Sequence, residues 1–194
     1  MKHYTPAPGI EVYETGVDLN KYFSTIFENK KVRTINEKRD KKDLVGFDLT
    51  SSIDTQLVKP FVDLISEQVN EYKEKYEIKV LYSHEIDFIQ YQPGGHFDSH
   101  HDDDGYGRRQ ISFIFYVNDD YEGGEVDFHQ FDYVLKPKKG MLVIFPSNYA
   151  YIHTAYPVLQ GEKRLVLGFL SKYERKDWLI REFERENIRY DWGY

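Results

Sequence analysis

Cysteine is absent from this chain. That excludes disulfides, thiolate zinc sites, cysteine-ligated iron–sulfur clusters and cysteine nucleophiles. Any bound metal must therefore sit on nitrogen and oxygen ligands. Long apolar runs are lacking too. No stretch reaches the length a membrane-spanning helix needs, and the opening MKHYTPAPGIEVYET has no apolar core of the signal-peptide kind. The expectation is a soluble, cytoplasmic protein with no membrane partner. Nor is there an excess of positive charge, since the formal net charge is −7. An acidic balance argues against a surface that coats nucleic acid.

Aromatic residues are plentiful instead, with 17 tyrosines and 13 phenylalanines in 194 residues. That load suits a β-rich interior, and the length suits one domain with a sizeable core. IEVYE reads as an opening strand and NKYFSTIFENK as a short helix. The lysine-rich stretch NEKRDKKD reads as a solvated loop, and His3 falls in a frayed terminus. The strongest helix is QLVKPFVDLISEQVNEYKEKY, with apolar residues at helical spacing and Pro60 near its first turn. Beyond Tyr76 come IKVLYSHEIDFIQYQ, RQISFIFYVND, EVDFHQFDYVLKP, GMLVIFPS and RLVLGFLSKY, all of strand texture. FIFYV and MLVIF are apolar throughout, as strands buried on both faces are. The tail RKDWLIREFERENIRYDWGY reads as a charged amphipathic helix. Helices first and strands later make one α+β domain, a sandwich or jelly roll braced by helices.

One stretch concentrates possible ligands: GHFDSHHDDDGYG, Gly95–Gly107. Residues two apart on a strand share a face. His100 with Asp102, or His101 with Asp103, would each offer one ion a nitrogen and a carboxylate. A third ligand must come from His3, His84, His129 or His153. His153 stands out because it lies between two apolar runs, where an imidazole needs a partner. Two histidines and a carboxylate leave adjacent positions open on Fe(II), the arrangement used for oxygen chemistry. A plain solvated acidic loop is the competing reading of the same cluster.

From Tyr91 to Leu170 the chain resembles the prolyl 4-hydroxylase-like 2-oxoglutarate/Fe(II) dioxygenases. The resemblance is carried by YQPGGHFDSHHD, RQISFIFYVNDDYEGGEVDF, PKKGMLVIFP and HTAYPVLQGEKR, in that order. It implies a double-stranded β-helix (cupin-like jelly roll) over 78–173, supporting helices and a strand over 1–77, and a C-terminal helix over 174–194, all in one domain. It implies His100, Asp102 and His153 as iron ligands. Lys163 would pair with the distal carboxylate of 2-oxoglutarate, with Tyr91, Tyr116 and Ser112 lining the cosubstrate pocket. The implied cofactors are Fe(II), 2-oxoglutarate and O2, with ascorbate in support. The implied substrate is a peptidyl proline, with a free amino acid, another small molecule or a nucleobase as the alternative. A non-catalytic jelly-roll binding module stands behind both. Phe97 stands where the family commonly has tyrosine. Base-demethylating relatives carry a further arginine six residues past the first cosubstrate arginine, where this chain has Phe169 or Leu170, so nucleic acid is disfavoured. Arg108 and Arg109 are either surface charges or guides for an acidic substrate. Gly123-Gly124 reads first as a hairpin turn.

Overall fold

The computed structural model describes residues 1–23, 33–39, 42–48, 55–79, 82–105 and 109–171. The helix expected over NKYFSTIFENK is described only at its start, residues 20–23, and the expected C-terminal helix lies outside the described residues.

Strands dominate. In chain order they are β1 (Lys2–Ala7), β2 (Ile10–Glu14), β3 (Arg33–Arg39), β4 (Lys42–Asp48), β5 (Tyr82–Tyr91), β6 (His96–His100) and β7 (Ile111–Tyr116). Then follow β8 (Glu122–Gly123), β9 (Val126–Phe128), β10 (Tyr133–Leu135), β11 (Met141–Pro146), β12 (His153–Ala155), β13 (Val158–Gln160) and β14 (Lys163–Ser171). The long helix runs Thr55–Lys75, close to the expected bounds, with Pro60 in its second turn. Most strands join one antiparallel ladder of order β1-β2-β11-β7-β14-β5-β4-β6-β12-β9-β10, while β8 and β13 form a separate pair. This is the double-stranded β-helix the resemblance implied.

Two cores follow from strand alternation. On β7, Phe113 and Phe115 face the long helix and pack with its Phe61, Ile65, Val69 and Tyr72. From the same strand, Ile114 and Tyr116 point to the opposite side, into a second cluster with Ile89, Tyr91, Val126, Phe128 and Leu165. Strands β7 and β11 are therefore buried on both faces, as the runs FIFYV and MLVIF foretold.

Three expectations change here. The described residues of NEKRDKKD are strand and not loop: β3 and β4 pair along their full length from Arg33↔Asp48 to Arg39↔Lys42, and β4 continues the ladder to β5 and β6. Backbone pairing supplied by neighbours overrides the low strand propensity of Lys and Asp. EVDFHQFDYVLKP is not one strand but two, broken by the 3-10 turn His129–Phe131. The terminus is not frayed either, since β1 pairs with β2 and His3 is held by a buried carboxylate.

That carboxylate is Glu11, on β2 and wholly buried. One of its oxygens accepts from Thr5 Oγ1 at 2.8 Å and meets His3 Nε2 at 2.6 Å. The other meets Lys75 Nζ at 2.7 Å and accepts from the Tyr76 hydroxyl. Glu11 thus fastens the first strand pair to the C-terminal end of the long helix. Burial opposes its ionisation, but Lys75, Tyr76, Thr5 and His3 outweigh that and lower its pKa. A depressed folded-state value means the stabilisation is present at neutral pH and is lost as pH falls through the acid range below the ordinary carboxylate value of 4.5. Glu11→Ala removes the acceptor shared by Lys75, His3 and the Thr5 and Tyr76 hydroxyls, so it should lower unfolding free energy by about 2 kcal/mol at pH 7, measured by urea denaturation. The deficit should shrink at pH 3.

Among the described residues no helix is long and apolar enough to cross a membrane.

Candidate metal centre

Strand register builds this site. His100 is the last residue of β6 and His153 the first of β12, and the two stand directly opposite in the antiparallel pair. Their ring centroids lie 4.4 Å apart. Each Nδ1 is tied to a backbone carbonyl two residues back: His100 to Asp98 at 2.7 Å, His153 to Tyr151 at 3.0 Å. Such ties place the proton on Nδ1 and leave Nε2 as the free lone pair.

Asp102 arrives differently from the expectation. It does not share a strand with His100, because β6 ends at His100 and Asp102 lies in the segment beyond. That segment is fixed by the Asp103 N–H donating to the Ser147 carbonyl at 2.8 Å. Asp102 Oδ1 stands 3.4 Å from His100 Nε2 and 3.9 Å from His153 Nε2. The three ligand atoms lie within 4.8 Å of one another, so one ion can bridge them. Burial opposes ionisation of Asp102, but the His153 and His100 rings and the Ser112 hydroxyl prevail and hold the carboxyl below the ordinary range. Burial also lowers the pKa of His153, so its ring gives up a proton readily in favour of a metal. An anionic carboxylate and neutral imidazoles are the states a divalent cation requires.

Ser112 departs from its expected part. It is fully buried, and its hydroxyl donates to Asp102 Oδ2 at 2.6 Å and meets Ser147 Oγ at 2.8 Å. It orients the carboxylate rather than lining the pocket. Ser112→Ala should weaken Mn(II) binding about tenfold, read by titration calorimetry, because outer hydrogen bonds of this kind typically carry that much. Ser147 has no mark in the sequence. Phe97, in the sequence only a departure from tyrosine, stacks on His100 with centroids 3.5 Å apart.

The other register, His101 with Asp103, lines the cavity mouth and stays apart from the cluster. Asp103 instead accepts from the Gly105 N–H, as aspartates in tight turns do. His129 sits between Asp127 and Thr154 at 3.1 and 2.7 Å, and His96 bonds the Gly94 carbonyl. His84 lies on β5, its side chain outside the described residues.

A cavity of about 280 Å³ opens from the triad, with Lys163 among its walls. Lys163 is 1% exposed. It donates to the Gly124 carbonyl at 2.6 Å and stands 5.4 Å from the Tyr91 ring centroid and 5.5 Å from that of Tyr116. The Tyr116 hydroxyl is buried and has no hydrogen-bond partner. Burial lowers the Lys163 ammonium to about 7, against an upward pull from Glu125. A buried ammonium beside an orphaned phenol is a setting that suits an anion. A dicarboxylate reaching from the triad to Lys163 would satisfy both. Arg164 takes the other face of β14, where it pairs with Glu162. Arg109 lies over Phe169 at 4.0 Å and borders the same cavity, and Arg108 lies outside the described residues.

Comparison with known proteins agrees with this geometry. A sequence model of the 2OG-Fe(II) oxygenase superfamily matches residues 86–171. A PKHD-type hydroxylase of Prochlorococcus marinus (strain NATL2A) is 32% identical over 96 residues, 46% of this chain and 42% of the relative. A PKHD-type hydroxylase of Crocosphaera subtropica is 28% identical over 126 residues, 60% of this chain and 53% of the relative. The chain thus matches about half the length of these curated relatives. In fold it is similar to a viral collagen prolyl hydroxylase from Paramecium Bursaria Chlorella virus-1, with TM-score 0.67, 19% identity, and 86% of this chain and 98% of that one covered. It is also similar to a Pseudomonas putida prolyl-4-hydroxylase, with TM-score 0.67, 15% identity, and coverage of 86% and 94%. Residues 86–171 are thus similar in sequence to the 2OG-Fe(II) oxygenase superfamily, and the double-stranded β-helix and the His-Asp-His cluster accord with that likeness.

Proposed function

We propose that this chain is a 2-oxoglutarate- and Fe(II)-dependent dioxygenase that hydroxylates a peptidyl proline. The observation that carries the reading is a single cavity walled both by a three-ligand cluster and by a buried ammonium with an unpartnered phenol beside it. His100, Asp102 and His153 would hold the iron. Lys163 would take the distal carboxylate of 2-oxoglutarate, with Tyr116 donating its orphaned hydroxyl and Tyr91 walling the same end. Bound there, iron with 2-oxoglutarate supplies the oxidation, in which one atom of O2 enters succinate, the other becomes the substrate hydroxyl, and CO2 leaves.

The chain's own residues bind, orient and exclude water. Three protein ligands leave the remaining metal positions to cosubstrate and oxygen. Ile89, Leu165 and Leu167 give the cavity an apolar floor that favours an aliphatic ring over water. Proline is favoured as target because the curated relatives are hydroxylases and the solved neighbours are prolyl hydroxylases. One such neighbour, from Trichoplax adhaerens, holds a peptide fragment. The acidic net charge fits a peptide better than a nucleic acid. Cytoplasmic residence and a single domain over 1–194 belong to the same reading.

The test is succinate release from 2-oxoglutarate with Fe(II) and O2, on a panel of proline-containing peptides, with a +16 Da product located by mass spectrometry. Dependence on all three components together with a hydroxyproline product is expected. A product only on free amino acids would overturn the peptide assignment, and no turnover on any substrate would overturn the enzyme.

A further inference from the structure

Gly123-Gly124 reads from sequence as a hairpin turn, but the strands on either side of it, β8 and β9, do not pair with each other, and Gly124 serves a different contact. Its N–H donates to the Pro157 carbonyl at 3.0 Å, next to the Gly123↔Val158 pairing of β8 with β13. Its carbonyl accepts the Lys163 ammonium at 2.6 Å. Its φ is +68°, and a Cβ placed there would meet Lys163 Cδ at 3.1 Å, Tyr121 Cε2 at 3.3 Å and Val158 Cγ2 at 3.3 Å. Its backbone conformation favours glycine, and a Cβ there would press on the lysine stem passing beside it.

Lys163 is thus held at both ends by different parts of the fold. Its backbone is fixed opposite Tyr91 in the β14–β5 ladder. Its ammonium is fixed by a carbonyl beside the separate β8–β13 pair. A lysine stem is flexible, and a cation on such a stem sets no distance unless its head is tethered. We propose that Gly124 is a positioning residue that sets the depth of the cosubstrate pocket, and so the chain length of the dicarboxylate that spans from metal to cation. This rests on Lys163 as the cosubstrate anchor.

The test uses Mn(II)-loaded protein and calorimetric titration with 2-oxoglutarate and with pyruvate, which has the keto acid but no distal carboxylate. Gly124→Ala should bind 2-oxoglutarate at least tenfold more weakly, with Mn(II) affinity and the weak binding of pyruvate each within twofold of the unaltered chain. Equal loss for both acids would mean general damage and would overturn the inference, as would unchanged 2-oxoglutarate binding. If the unaltered chain binds Mn(II) but not 2-oxoglutarate, the cosubstrate reading itself falls and takes the inference with it. Hydrogen exchange on the unaltered chain serves where the variant does not fold. 2-Oxoglutarate should slow exchange in the peptide spanning 121–125, and pyruvate should not. Equal protection by both, or none, overturns the role of Gly124.

Discussion

Asp102→Ala is expected to bind Mn(II) at least a thousandfold more weakly than the unaltered chain, about 4 kcal/mol. The carboxylate is the only anionic ligand in the cluster, and it sits in a buried setting where the charge of a divalent ion has little water to screen it. Removing it leaves two neutral imidazoles facing a dication. Asp103→Ala is the matched comparison. Asp103 has the same side chain one residue on and borders the same cavity, but it is spent on the Gly105 N–H. Its loss should change Mn(II) affinity by less than threefold. Calorimetric titration of both variants checks the pair. Equal losses would mean that negative charge near the mouth, rather than the ligand position, holds the ion.

Lys163→Met should cost 2-oxoglutarate binding roughly 150-fold, about 3 kcal/mol, with Mn(II) binding unchanged. Methionine keeps most of the stem's volume, so the loss reports the charge. A carboxylate brought against the thioether would be buried with no cation to face. A pH signature accompanies this. Burial holds Lys163 near 7 in the empty pocket, so at pH 8 much of it is neutral. An arriving carboxylate favours the charged form, so binding at pH 8 should take up close to one proton, and at pH 6 almost none. Affinity should accordingly fall as pH rises from 7 to 9. Calorimetry in buffers of different ionisation enthalpy measures the uptake, and Lys163→Met should abolish it. Proton uptake that persists in that variant would assign the titration to another group.

The parts of this fold that sequence made plain are those where side chains decide the structure. FIFYV and MLVIF had to be buried on both faces because nothing polar interrupts them, and β7 and β11 are so buried. The long helix announced itself by its apolar spacing, and Phe61, Ile65, Val69 and Tyr72 do face the core. The β3–β4 hairpin was hidden for the opposite reason. Its identity lies in backbone pairing, and β3 pairs only with β4 among the described strands. An outer strand of that kind tolerates and often favours lysine. The site divides the same way. His100, Asp102 and His153 were marked by residue type and by motif, and the structure brings them together. Strand alternation does not bring Asp102 to His100; Asp102 is turned inward by Ser112 and by the Asp103–Ser147 bond after the strand has ended. Ser147 and the Gly124 carbonyl carry no sequence mark, since a serine after a strand and a backbone oxygen look the same wherever they occur.

The opposed pairing of His100 and His153 also governs how such a chain can diversify. A strand slipped by one residue turns every side chain to the other face. The β6–β12 pair already carries one irregularity between His153↔His100 and Ala155↔Phe97, so what must stay fixed is the direct opposition of the two histidines at its end. Length variation that would part them is shut out of these two short strands but open past Asp102, between the site and β7, where the chain reaches the cavity mouth through Asp103 and Arg109. A change of length there would alter the wall of the cavity and leave the opposed histidines where they are.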